Sequence, residues 1–106
     1  MHPKIFPNQG LAANAIGGPI HDWEDDEAAV VFTFVISQVV GEGVAIGIGK
    51  SELYYPKAAE WWAPLVKLQG SPAFQRGGAT VMAWASIALD DGGWEMYPWG
   101  RPVTLT

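Results

Sequence analysis

The chain of 106 residues contains no cysteine, which excludes disulfide bonds, thiol nucleophiles and cysteine-ligated metal sites. The fold must therefore be held by its core, and 49% hydrophobic residues are enough to build one. Charged residues make up only 16% of the chain, against roughly 25% in average proteins. We therefore expect a small, soluble, acidic domain whose surface either is largely uncharged or is partly covered by a partner or by a second copy.

Clustered positive charge is also missing. The net charge is −5, and the six lysine and arginine residues are scattered along the chain. Since binding to a phosphate backbone needs clustered Lys and Arg, we expect no direct nucleic-acid binding. Residues 1–10 lack the apolar run of a signal peptide, so the sequence predicts a cytoplasmic protein.

One apolar stretch, residues 28–49, is long enough to span a bilayer. It carries the uncompensated charge of Glu42, its second half is rich in glycine, and residues 30–40 are mostly β-branched or aromatic. These features favour strands over a membrane helix. We therefore expect no membrane partner.

Two hairpins are predicted from alternation and turn residues, one joining strands at 30–40 and 44–50 and one joining 79–89 and 94–97. Larger apolar groups occupy the even positions of the first strand, so that face should pack on the core. The second strand has a nearly bare face of Ala45, Gly47 and Gly49, which predicts an aromatic ring lying across it.

The remaining segments predict a helical layer. Residues 56–69 have the apolar spacing of a helix that begins at Pro56, ends before Gly70 and is kinked by Pro64. Residues 1–29 read as irregular or partly helical, and 102–106 as a further C-terminal strand. The expected fold is a single α+β domain over residues 1–106, a two-layer structure with an antiparallel sheet and the kinked helix on one face.

Residues 43–51 partly match a phosphate-binding loop, because Gly49, Lys50 and Ser51 stand in the order that such a loop ends with. The glycine required at position 44 is a valine, and a helix must begin at the lysine. Residues 44–50 instead alternate as a strand. We therefore expect no nucleotide cofactor, and the sequence predicts no other cofactor.

Acid–base catalysis has weak candidates only. His21 lies beside Asp22 and near Glu24, a combination that can act as a general base. The acidic run of residues 22–27 matches no defined metal-binding loop, so no metal is predicted and a solvated loop is the simpler interpretation. No serine lies in a nucleophile motif.

Aromatic residues are the most informative feature, because the chain has six tryptophans and three tyrosines. Trp61 and Trp62 are adjacent, and residues 94–99 alternate so that Trp94 and Met96 oppose Tyr97 and Trp99. Exposed Trp and Tyr are favoured anchors in interfaces and also line ligand pockets. The binding residues predicted from this pattern are Trp61, Trp62, Tyr97 and Trp99.

The sequence therefore predicts a non-enzymatic interaction domain with an aromatic-rich surface, which binds another protein or itself as a homodimer. One alternative is a small enzyme or small-molecule binder with an aromatic cavity of Trp62, Trp84 and Tyr54 and with His21 at its mouth. A further alternative is a structural subunit that assembles into rings or sheets. Composition alone does not decide among these three.

Overall fold

The computed structural model describes all 106 residues and is built almost entirely of β-strands. Strands take up 62% of the chain and helical turns 3%. The elements are β1 (His2–Pro3), β2 (Asn8–Gln9), a 3-10 turn (Leu11–Ala13), β3 (Ala15–His21), β4 (Glu27–Val40), β5 (Gly43–Lys50), β6 (Glu60–Pro64), β7 (Val66–Lys67), β8 (Gly77–Leu89) and β9 (Trp94–Leu105). The prediction of an α+β domain with a kinked helix on one face is therefore wrong.

The strands form two sheets. The larger has six strands in the order β2-β9-β8-β4-β5-β7 and is strongly curled, and the smaller has three in the order β1-β3-β6. Both predicted hairpins are present, with Val40 opposite Gly43 in the first and Ala88 opposite Trp94 in the second. The strands predicted separately at 94–97 and 102–106 are instead one continuous strand, β9, which pairs with β8. The central strands β4 and β8 are therefore each hydrogen-bonded on both sides.

The core lies between the two sheets. Val30, Phe32, Phe34 and Ile36 of β4 are all fully buried, which confirms the predicted core-facing side of this strand. Trp61 of β6 stacks on Phe32, with ring centroids 4.7 Å apart and planes inclined by 15°. One continuous cluster of buried side chains therefore joins the small sheet to the large one.

The bare stripe of β5 is filled by neighbouring side chains. Gly49 is paired with Phe34, and a Cβ atom at Gly49 would overlap the Phe34 ring. A Cβ atom at Gly47 would overlap Leu65 and crowd Phe74. The predicted aromatic ring across this stripe is confirmed, and the close approach explains why glycine is required there.

The segment predicted as a helix, residues 56–69, instead contains β6 and β7. Burial alternates along β6, since Trp61 is buried while Trp62 and Pro64 are exposed, and this is the period of a strand. Pro64 is the last residue of β6, where its missing N–H interrupts no ladder. The partner strand β3 lies far away in sequence, and Gly17 leaves room there for the Trp62 ring.

Residues 1–29 contain β1, β2 and β3 as well as the start of β4, although the sequence indicates an irregular or partly helical segment. Gln9 is buried, and its side-chain amide donates hydrogen bonds to the carbonyls of Phe6 and Gly17. The only helical element is the 3-10 turn, which ends because Asn14 adopts a left-handed φ of 51°. Pairing with distant strands therefore orders this segment.

No helix in the structure combines the length and the apolar content that a membrane crossing would need. The apolar stretch at residues 28–49 forms most of β4 and all but the last residue of β5.

Candidate functional site

The four aromatic residues predicted to bind a partner do not share one surface. Trp61 is 0% exposed, and its indole N–H donates a 2.9 Å hydrogen bond to the Lys4 carbonyl. Trp62 is 42% exposed on the opposite side of β6, with its ring 5.6 Å from that of Phe6. Trp61 therefore has no surface to offer a partner, whereas Trp62 does.

Tyr97 and Trp99 lie together on the side of β9 that faces the small sheet. Their ring centroids are 5.7 Å apart, and Trp99 also meets the edge of Trp61 at 6.2 Å. Tyr97 is 40% exposed, while Trp99 is half-buried at the border of the core. The structure therefore groups three of the predicted residues and leaves Trp62 on a different surface.

The predicted catalytic candidates are also divided. His21 and Asp22 border a cleft beside Tyr97, whereas Glu24 borders a separate cavity. No hydrogen bond joins His21 to either carboxylate, and the Glu24 carboxylate lies 4.0 Å from the Met1 ammonium. No three His, Asp or Glu side chains are placed to share a metal ion. His21 and Asp22 therefore border one cleft, whereas Glu24 borders another cavity.

The aromatic cavity of the small-molecule alternative does not form in the predicted combination. Trp62 and Tyr54 border a cavity of about 460 Å³, and the backbone N–H of Trp62 donates a 2.9 Å hydrogen bond to the Tyr54 hydroxyl. Trp84 is paired with Thr33 on the other side of the large sheet, and His21 borders a different cleft. The three aromatic rings therefore do not enclose one space.

The large sheet has a second face that no other element covers, which we call the outer face. Strand pairing aligns the outward-pointing residues of β4, β5, β7, β8 and β9 on this face. Its apolar members are Val31, Val35, Val39, Val44, Ile46, Ile48, Val66, Met82, Trp84, Trp94 and Met96. Val39 is 78% exposed and Met82 is 46% exposed.

The centre of the outer face is one continuous apolar row. Met82 is opposite Val35, Val35 is opposite Ile48, and Ile48 is opposite Val66. Among the outward positions of β4, β5, β8 and β9 from residue 31 onward, the only charged side chain is Lys50, on β5. The outer face is therefore almost free of charge across its width.

Prolines block the free edge of the large sheet along β9. The Thr104 N–H donates to the Pro7 carbonyl, so even-numbered positions of β9 direct their backbone groups away from β8. Pro98 and Pro102 occupy two of these positions and supply no N–H. An added strand would find an interrupted ladder there, so association through this edge is disfavoured.

The opposite edge of the large sheet is covered by the chain itself. Strand β7 pairs with Gly47 and Ile48 of β5. The Leu68 N–H then donates to the Ile46 carbonyl at 2.9 Å, and the Ile46 N–H donates to the Ser71 hydroxyl at 3.3 Å. Both edges are therefore protected, and the outer face is the open surface of this sheet.

Sequence reasoning assigned the core-facing side of β4 but missed the outer face. The signal was present, because Val31, Val35 and Val39 make the second side of β4 apolar too. Only the pairing of β4 with β5 and β8 aligns these valines with Ile48 and Met82 into one surface. A single strand does not reveal that alignment.

Comparison with known proteins finds no matching family, no matching curated protein and no matching solved structure.

Proposed function

We propose that this protein is a non-enzymatic self-association domain in which two copies pack outer face against outer face. The single observation that carries the proposal is the nearly uncharged apolar row running through Met82, Val35 and Ile48 in the centre of an uncovered sheet. Monomeric proteins rarely leave a contiguous apolar patch of this kind open to water. Tyr97, Trp99 and Trp62 stay predicted contacts for other partners.

The size of the outer face supports a stable dimer. The long axis of the molecule measures 48 Å, and β4 follows it for most of that length. At about 3.4 Å per residue, β4, β8 and β9 are roughly 40 to 48 Å long and β5 is about 27 Å long, so four strands spaced about 4.8 Å apart present about 770 Å². A standard stable interface buries about 800 Å² on each partner. Because the large sheet is curled around the core, this area is the most that one outer face can bury, and it is close to that of one standard interface.

Charge also favours contact between two identical copies. Each copy carries a net charge of −5, which would oppose association if the acidic residues lay in the interface. None of them lies at an outward position of β4, β5, β8 or β9 from residue 31 onward. The two faces can therefore meet without burying carboxylates.

The geometry predicts a closed dimer. Two sheets pack about 10 Å apart with their strands crossing at roughly 30°. A two-fold axis through the centre of the outer face would place Met82 and Val35 against the same residues of the second copy. Because both sheet edges are protected, growth stops at two copies, and this separates the proposal from an assembly of rings or sheets.

A pair of charge-matched variants tests the proposal. Met82→Glu places a carboxylate at the centre of the outer face, while Ala13→Glu places one in the exposed 3-10 turn beside the cavity of Trp62. Light scattering coupled to size exclusion should give a monomer for Met82→Glu and a dimer for Ala13→Glu. Circular dichroism should show the same fold in both, because both side chains point to solvent. A folded Met82→Glu variant that still forms the dimer would overturn the proposal.

A further inference from the structure

The two sheets part along one side of the molecule and leave a cleft of about 670 Å³. The small sheet contributes the end of β3 with His21 and Asp22, and β1 with the residues beside it. The large sheet contributes Tyr97 and Trp99 of β9. This cleft lies on the core-facing side of β9, so it is independent of the outer face and of the self-association proposed above.

Basic side chains are concentrated at this cleft. His2 is paired directly opposite His21, so the two imidazoles project from the same face of the small sheet. Lys4 follows two residues after His2 and borders the same cleft. Both histidines of the chain therefore border one cleft together with a lysine, although the protein has a net charge of −5. No other cavity of the structure is bordered by more than one basic side chain.

Trp99, which borders the cleft, carries a buried donor without an acceptor. The indole Nε1 of Trp99 is the one buried side-chain polar atom in the structure that has no hydrogen-bond partner. Leaving such a donor unpaired is costly, and native proteins rarely do so. The neighbouring Tyr97 ring has its centroid 5.7 Å from that of Trp99, is 40% exposed and borders the same cleft, so an acceptor reaches the buried indole N–H only when the local side chains move.

We infer that this cleft binds a small carboxylate carried on a flat apolar ring. The carboxylate oxygens accept hydrogen bonds from Lys4 and from the paired imidazoles of His2 and His21. The ring of the ligand lies against Tyr97, and an oxygen of the ligand satisfies the Trp99 indole N–H.

Asp22 narrows the choice of ligand. Its carboxylate borders the cleft together with the three basic side chains. It repels a compact ion with two negative charges more strongly than a single carboxylate, because like charges at short range oppose each other. The cleft should therefore prefer an aromatic monocarboxylate to inorganic phosphate.

Nuclear magnetic resonance tests this directly, because the two histidines give two separate imidazole signals. Benzoate is the probe, and acetate and inorganic phosphate are the comparison ions. Both imidazole signals should shift and saturate with benzoate, with a Kd of about 1 mM or tighter. Acetate, which lacks the ring, should bind at least about ten-fold more weakly. The indole N–H signal of Trp99, assigned from the signal lost in Trp99→Phe, should move in the same titration.

Two variants separate the site from a general effect of charge. Lys4→Met should weaken benzoate binding by about ten-fold or more, since it removes a charge-assisted hydrogen bond. Lys57→Met removes another exposed lysine, one that borders no cavity, and should leave the Kd unchanged. The dispersion of the spectrum shows that each variant is folded. Absence of saturable shifts, equal binding of phosphate, or equal Kd values for the two lysine variants would each overturn the inference.

Discussion

The rings of Trp61 and Phe32 are stacked at 4.7 Å, and this pair joins the small sheet to the large one. Trp99 meets the edges of both rings at 6.2 Å. The carbonyl of Lys4 accepts the Trp61 indole hydrogen bond, so the polar end of the ring is also satisfied. Burial of these large rings gives a domain without disulfides much of its stability.

Trp61→Ala should lower the free energy of unfolding by about 3–5 kcal/mol, because it leaves a cavity between the sheets. Trp62→Ala is the matched control on the adjacent residue, which is 42% exposed and should lose much less. Urea unfolding followed by circular dichroism measures both. Equal losses for the two variants would show that the stacked pair does not join the sheets.

Gly49→Ala should cost about 1–3 kcal/mol, because the new methyl group overlaps the Phe34 ring and the Pro64 carbonyl. Gly43→Ala in the same strand is the control, since its Cβ would lie no closer than 3.5 Å to any neighbour. That variant should change stability by less than about 0.5 kcal/mol. The prediction fails if thermal unfolding ranks the two variants in the opposite order.

Glu27 is a buried carboxylate whose Oε1 lies 3.0 Å from the Met1 ammonium nitrogen. The same oxygen accepts a hydrogen bond from the Glu24 N–H. Glu27→Gln should destabilise the fold by about 3 kcal/mol, since the ammonium is left buried without its counter-charge. Glu24→Gln removes an exposed carboxylate at 4.0 Å and should have little effect. Chemical denaturation of the chain that begins at Met1 compares them, and similar losses would contradict the assignment.

Pro98 and Pro102 protect the free edge of β9, so replacing both should open it. Pro98→Thr combined with Pro102→Thr restores two outward N–H groups to this edge. Light scattering should then detect species larger than a dimer that grow with concentration. If the double variant kept the mass of the wild type, the prolines would not be what limits association.

The hairpin strands could be predicted from the sequence because apolar residues alternate along them. In β4, Phe32 and Phe34 occupy alternate positions, and both are buried on the side that faces the core. The segment containing Trp61 and Trp62 could not, because two adjacent large apolar residues fit the spacing of a helix as well as that of a strand. The pairing of Trp62 with Gly17 makes this segment a strand, and that pairing is a contact between distant parts of the chain.

The residues of the cleft and of the outer face could be predicted only in part, for the same reason. Residue type predicts Tyr97 and Trp99 as binding residues, and the structure places both beside His21 and Asp22 at one cleft. Trp61 was grouped with them although it is fully buried, because residue type does not tell core from surface. Nothing in the sequence singles out Met82, because its place at the centre of the proposed interface follows from its register with Val35.

The mass of the wild-type protein in solution tests the central claim most directly. At about 100 μM, well above the micromolar or tighter Kd expected for an interface of this size, sedimentation equilibrium should give twice the 11.4 kDa mass of one chain. Dilution should shift this mass toward the monomer without passing through larger species. A mass of 11.4 kDa at that concentration would contradict packing of outer face on outer face.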